Sequence, residues 1–249
     1  SFMRLGCPSL RSLSAVAAAG LWFLPRGLAA GHIEGTVVIT QRLTKPRVTP
    51  AADGYQRGVT VQLASDGELD WLAYERSHVV IYLDGKLPAP KSSRVAVIEQ
   101  KNRRFLPDLV VIPAGASVSF PNLDPIFHNV FSLSKARSFD LGNYPRNQTR
   151  VVTFPKPGIV VVGCHLHPNM SAIVFVTPNA WGATADADGR FRLADLPAWR
   201  YTIVAWHKRA GYVRQTVDVP AEGTVPVQFT LPLDNLEGNL HSGLRRHEP

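Results

Sequence analysis

The chain has 249 residues, 45% of them hydrophobic and only 18% charged, which excludes a disordered protein and leaves length for a sizeable core. The formal charge of +8 is a modest basic excess, and no clustered basic and aromatic stripe marks a nucleic-acid surface. Such an excess favours an acidic partner or an anionic membrane surface. Nineteen glycines and 20 prolines separate many short valine-rich runs, a pattern that predicts an all-β chain with no long helix.

At the amino end, Arg4 and Arg11 precede the apolar run SLSAVAAAGLWFLP, and the small residues Gly27, Ala29 and Ala30 follow it. A basic start, an apolar centre and a small-residue cleavage site predict a signal peptide over residues 1–30 and a periplasmic or otherwise exported protein. A retained membrane anchor is the alternative, but Arg26 closes the run early. Cleavage removes three arginines, no acid and Cys7, so the charge falls to +5 and Cys164 is the one cysteine left. In an oxidising compartment a lone cysteine is buried, reactive or held by a metal. The stretch LAAGHIEG also admits cuts that leave Ala30-Gly31-His32, or His32 itself, at the new amino terminus. Either end would chelate a second Cu(II). The plainer reading has His32 simply precede the first strand.

Residues 33–40, IEGTVVIT, read as that strand, and KPRVTPAADGYQRG as a surface loop. Further strands are expected at 59–64 and 78–83, the second closed by Asp84-Gly85, so residues 31–93 form an N-terminal β-segment. A tighter unit, 94–178, follows: RVAVIEQ, DLVVIP, a turn at Ala114-Gly115 with SVSF as hairpin partner, VVTF, IVVVGC and SAIVFVTP. Short strands at this spacing suggest a sandwich or barrel. Three strand-like pieces joined by Asp-Gly and Leu-Pro turns, then TVDVP and TVPVQFTLPL, predict a second small sandwich over 179–233. A tail of low apolar content, 234–249, is expected to be disordered. His78 and His207 read as ordinary strand-end residues.

Within the middle unit, Gly163 to Met170 reads GCHLHPNM. A single-copper electron-transfer site needs two imidazoles and a thiolate in a trigonal plane, commonly with a weak axial thioether. The thiolate and thioether favour the reduced ion and the imidazoles tolerate both states, so a mixed set holds either. The strand IVVVG delivers Cys164 into a tight loop that also carries His167 and Met170, and SAIVFV carries the chain away. The second histidine has to come from another loop, and His128, in FPNLDPIFHNVF after the strand SVSF, is the candidate. His165, one residue after Cys164, points to the opposite side in a strand-like backbone. The readings open for it are a solvent-facing residue, an exchange of roles with His167, or a contact for a redox partner.

These residues resemble the cupredoxins, the type-1 copper proteins. The resemblance rests on Phe120-Pro121-Asn122 and Asp124 before His128-Asn129-Val130, then Cys164-x-x-His167-Pro168-x-Met170, and covers about residues 94–178. The spacing of the last three is similar to the amicyanin subgroup, within exported chains similar to methylamine-utilization proteins. It implies a Greek-key sandwich, one copper per chain, His128 and His167 as imidazole ligands, Cys164 as thiolate and Met170 as axial ligand. It further implies that the Asn129 side chain ties the ligand loops together while its backbone N–H points at the thiolate. Leu166 and Pro168 would form an apolar rim around His167, with Phe139, Asp140 and Tyr144 near the site.

The last module resembles transthyretin-like or carboxypeptidase-regulatory-like β-domains through Thr184–Phe191, Leu196-Pro197 and Tyr201, with Trp199 where those families usually have glycine. Asp186-Ala-Asp188-Gly189 reads as a hairpin turn, since the rest of a calcium loop is missing. The expected function is single-electron transfer with an unidentified redox partner, not enzymatic catalysis. Copper delivery without redox turnover, or a metal-free β-scaffold, are the alternatives.

Overall fold

The computed structural model describes residues 30–43, 70–87 and 95–232. The expected leader (save Ala30), the strand at 59–64 and the tail at 234–249 lie outside the described residues. In chain order the elements are β1 (Gly31–Ile39), α1 (Trp71–Ser77), β2 (Val80–Leu83), β3 (Ala96–Val97), β4 (Glu99–Lys101), β5 (Arg104–Leu106), β6 (Leu109–Pro113), β7 (Ser117–Pro121), β8 (His128–Ser134), β9 (Arg137–Tyr144), β10 (Thr149–Thr153), β11 (Gly158–Gly163), β12 (Ser171–Thr177), β13 (Gly182–Thr184), β14 (Arg190–Leu196), β15 (Trp199–His207), β16 (Gly211–Val219) and β17 (Gly223–Leu231). Among the described residues the chain is all-β apart from the seven-residue α1, which starts because the Asp70 carboxylate accepts from the N–H groups of Leu72 and Ala73. No helix among the described residues is long and apolar enough to cross a membrane.

Two sandwiches result. One joins the sheets β14-β1-β17 and β13-β2-β15-β16 around Ile33, Ile81, Leu83, Leu196, Ile203 and Phe229. The other joins β10-β7-β3 and β6-β12-β11-β8-β9 around Phe120, Val130, Val160, Val162, Val174 and Tyr144. β1 lies between β14 and β17, and β2 between β13 and β15, so the N-terminal strands belong to the sheets of the C-terminal ones. The described strands of the segment expected over 31–93, β1 and β2, therefore lie in the two different sheets of the first sandwich. An Asp-Gly turn locks this union. Val37 N–H donates to Gly189 O at 2.7 Å, and a Cβ on Gly189 (φ +84°) would lie 2.4 Å from the Val37 carbonyl oxygen.

The sandwiches also pack on each other. Alternate residues of β2, β12 and β15 face opposite ways, so Ile81, Val174 and Ile203 enter the two cores. Their neighbours Val80, Tyr82, Phe175, Val204 and Trp206 meet in a third apolar layer with Leu109. Strands buried on both faces have no polar alternation, which is why HVVIYL and YTIVAW read as continuous apolar runs. Phe175 stacks obliquely on Trp206 at 4.9 Å and on Tyr82 at 5.4 Å. A polar pair closes the seam: His78, capping α1, bonds Asp108, just before β6, at 2.9 Å.

Three local expectations change. RVAVIEQ splits into β3 and β4, because buried Ile98 turns the chain from one sheet toward the hairpin β4–β5. SVSF is not the hairpin partner of DLVVIP. β6 pairs parallel with β12, while β7 pairs with β10 and β3, so the Ala114-Gly115 turn crosses between sheets. His128 is the first residue of β8, which pairs with β9, instead of lying in a loop after SVSF.

Candidate metal centre

The sheet β6-β12-β11-β8-β9 brings the candidate residues to one end of the second sandwich. β11 and β12 are antiparallel neighbours, with Gly163 opposite Ser171, so the loop between them carries Cys164, His167 and Met170. β11 also lies beside β8, with Gly163 opposite Phe131, which places His128 next to that loop. The loop is closed on itself by the Met170 N–H donating to His167 O at 2.9 Å.

His128, Cys164 and His167 each offer one ligand atom, and the three atoms lie within 4.8 Å of one another. His128 Nδ1 is 3.0 Å from His167 Nδ1, and Cys164 Sγ is 3.7 Å from the same nitrogen. His128 and Cys164 are buried, while His167 is half-buried. Met170 is also buried, in the same apolar cluster as Cys164. His128, Cys164 and His167 thus come together at one end of the sheet, and Met170 closes the same loop.

The far side of His128 is fixed by a carboxylate. Its Nε2–H donates to Asp124 Oδ2 at 2.8 Å, which turns Nδ1 toward Cys164 and His167, where a neutral ring would carry its lone pair. Burial opposes ionisation of Asp124. The N–H of Arg103, the His128 ring and the N–H of Asn102 outweigh it and hold the carboxyl below its ordinary value. Burial and the neighbouring His128 and Arg103 push the pKa of His167 down, which favours the neutral ring that metal binding needs.

Asn129 binds the two ligand segments as the resemblance implies. Its N–H donates to Cys164 Sγ at 3.4 Å, and its side-chain oxygen accepts from His165 N–H at 3.4 Å. Its amide nitrogen donates to Asp140 Oδ1 at 2.7 Å, and Asp140 also accepts from Gly142 N–H; these bonds hold the Asp140 carboxyl below its usual value. His165 points away from the ligand cluster. Its half-exposed ring stacks on Phe131 at 3.6 Å and approaches Asp140 at 3.4 Å. Tyr144 lies beneath the site, donating to Phe120 O at 2.9 Å, and burial raises its pKa to about 12. Leu166 and Phe127 are exposed near His167 and His128.

The donor types fit a soft metal ion. Two ring nitrogens lie 3.0 Å apart and a thiol sulfur 3.7 Å from one of them, a mixed donor set that could hold one metal ion in place of the protons they now share. The role of Asp124 comes from the fold, through its bonds to His128 and to the N–H groups of Asn102 and Arg103. Its signal in the sequence is a carboxylate four residues before His128.

His32 belongs elsewhere. Gly31 and His32 are in register with β17 inside the three-stranded sheet, and His32 Nδ1 accepts from Asp195 N–H at 3.2 Å. Backbone groups committed to a strand do not wrap an ion, so the plain reading of His32 replaces the amino-terminal chelate.

No protein-family model and no curated protein sequence matches the chain. Solved structures similar to it include a copper-containing nitrite reductase from Thermus scotoductus SA-01, with 24% identity over 34% of this chain and a TM-score of 0.33. The match spans 23% of the reductase. A reduced amicyanin variant is similar at 18% identity, with 39% of this chain and 97% of that chain covered and a TM-score of 0.32. A purple cupredoxin from Nitrosopumilus maritimus is similar at 21% identity, with 33% and 99% covered and a TM-score of 0.30.

Proposed function

We propose that the protein is an exported electron carrier that binds one copper ion through His128, Cys164 and His167, with Met170 as axial donor. The observation that carries this reading is the convergence of two imidazole nitrogens and one thiol sulfur within 4.8 Å, from two neighbouring strand ends. Bound copper would supply a one-electron couple, with thiolate and imidazole donors retaining both oxidation states. The residues do the rest. Asn129 N–H caps the sulfur, Asp124 holds His128, and burial of Cys164 and Met170 keeps water from the inner side. A closed donor set of this kind serves a carrier better than an enzyme, which needs an open position for substrate.

His167 is the half-buried ligand, so electrons enter and leave on its side, over a rim that includes exposed Leu166 and Pro168. Arg103, in the β4–β5 hairpin, acts electrostatically on His167, and with exposed Lys101 and Arg104 beside it and Arg146 in the β9–β10 loop it favours an acidic redox partner. The second reading, copper delivery, uses the same ligands but requires ready loss of metal.

Redox cycling of the copper-loaded chain separates the two. A carrier is expected to bleach and recover its visible band over repeated ascorbate and ferricyanide additions with copper retained. Loss of copper to a chelator in the reduced state would overturn the carrier reading in favour of delivery.

A further inference from the structure

The hairpin β4–β5 contributes no ligand, yet its tip is built against the ligand set. Its two-residue turn, Asn102-Arg103, joins the paired residues Lys101 and Arg104, and both turn residues have positive φ, 55° and 54°. That is the geometry of a tight hairpin turn, which favours Asn-Gly. Arginine in the second position is strained in this left-handed backbone, which glycine adopts freely. Strain of this kind persists where surrounding structure fixes it.

The fixing contact is Asp124. The turn N–H groups, which the hairpin ladder does not use, both donate to its carboxylate: Asn102 N–H to Oδ1 at 2.6 Å and Arg103 N–H to Oδ2 at 2.8 Å. Asp124 is also held from its own backbone, its N–H donating to Asn122 Oδ1 at 3.0 Å. Asn122 in turn donates to Ile126 O and Tyr144 O, and Leu123 N–H donates to Gln100 O on β4. The carboxylate therefore has its position set from both sides before it meets His128. Oδ2 accepts the His128 Nε2–H at 2.8 Å, and His128 is fully buried, so its ring has this one orientation with Nδ1 toward Cys164 and His167.

We infer that Asp124, clamped by the Asn102-Arg103 turn, is a positioning residue for the copper ligand His128 that aims its Nδ1 and strengthens it as a donor. This rests on the copper-carrier reading above. A carboxylate on the far nitrogen lends negative charge to the imidazole and raises its basicity. A stronger donor stabilises the higher charge state of the ion, so Asp124 lowers the reduction potential and tightens Cu(II) binding. A purely structural Asp124 would affect folding but not those two quantities.

The test uses the full chain with Cu(II) as the probe, in native, Asp124→Asn and Asp124→Ala forms. Asp124→Asn keeps the shape and removes the charge. Its expected Cu(II) affinity is ten- to hundredfold lower, the usual effect of losing a partner behind a ligand, with a higher reduction potential and the visible band retained. Asp124→Ala frees the ring and is expected to lose more affinity and to gain an imidazole-sensitive spectrum. Far-ultraviolet circular dichroism and melting confirm folding, and the isosteric Asn variant carries the test if the Ala variant does not fold. Native protein that binds copper, beside an Asp124→Asn variant of unchanged affinity and potential, overturns the inference while leaving the carrier reading in place. Native protein that binds no copper overturns the carrier reading first.

Discussion

Each sandwich buries a histidine against a carboxylate, and the two pairs have opposite consequences. In the second sandwich His128 Nε2 meets Asp124 at 2.8 Å, and its other nitrogen faces a thiol and another imidazole. In the first, His207 Nε2 meets Glu75 at 3.0 Å, with both residues about 1% exposed, but its Nδ1 accepts from Arg209 N–H at 3.3 Å. The second nitrogen of His207 is used up by backbone. Glu75 Oε1 is likewise spent, accepting from Leu43 N–H after β1, so the pair ties α1, β15 and the N-terminal strand together. Burial pushes the His207 pKa down, and with Nδ1 as acceptor the ring is a neutral donor to the carboxylate. A buried histidine is thus a site only where one nitrogen is left open and pointed at other donors; where both are satisfied it is a rivet.

The sharpest break of this comparison exchanges the losses. Glu75→Gln puts an amide where the His207 and Leu43 donors need acceptors. Leaving one of these buried donors facing an amide N–H is expected to cost about 1–3 kcal/mol, or roughly 2–12 °C in Tm, with copper stoichiometry unchanged. His128→Gly is expected to do the reverse in the spectrum: the native band is lost and returns with added imidazole. His207→Gly should lower Tm and give no imidazole-dependent band. Calorimetry and visible spectra on the three variants check both halves. A Glu75→Gln chain that melts normally would remove the distinction.

A third histidine sharpens it further because it belongs to the seam. His78 Nδ1 faces the Tyr74 carbonyl at 2.7 Å and Nε2 faces Asp108 at 2.9 Å, two acceptors that together favour the protonated ring. Burial would lower its pKa, but the Asp108 carboxylate and the Tyr74 carbonyl raise it above 6.5, while His78 outweighs burial at Asp108 and takes that carboxyl below 3.8. The raised histidine contributes stability below 6.5 that is lost as pH rises through its folded value. The lowered carboxyl contributes above 3.8 and loses it as pH falls through its own. The pair is fully effective between those two ordinary values. Asp108 is nearly half-exposed, so the contribution is about 1 kcal/mol, or roughly 2–4 °C. Asp108→Asn is expected to lower Tm most near about pH 5 and least near about pH 9. An effect of equal size at both would show that the charge pair is not formed.

These three histidines also mark what the sequence could convey. Cys164, His167 and Met170 share eight residues, so their convergence needed one strand-to-strand loop and was legible. His128 was legible as a partner type but not as the start of β8, because HNVFSLS carries a bulged pairing, with a register shift between Asn129 and Phe131, that blurs its alternation. The union of β1 and β2 with β13–β17 was hidden, since strand pairing across more than 100 residues leaves no local trace. Asp124 was visible as a letter before His128. Its role depends on the N–H groups of Asn102 and Arg103, more than 20 residues away.

Whether the His128–Cys164–His167 end holds copper through a thiolate is decided by Cu(II) titration of the native chain beside Cys164→Ser, followed by visible and electron paramagnetic resonance spectra. The native chain is expected to take up one tight equivalent with an intense thiolate-to-copper band, and Cys164→Ser to lack that band. No tight copper in the native chain, or a band that survives in Cys164→Ser, would contradict a copper–thiolate site there.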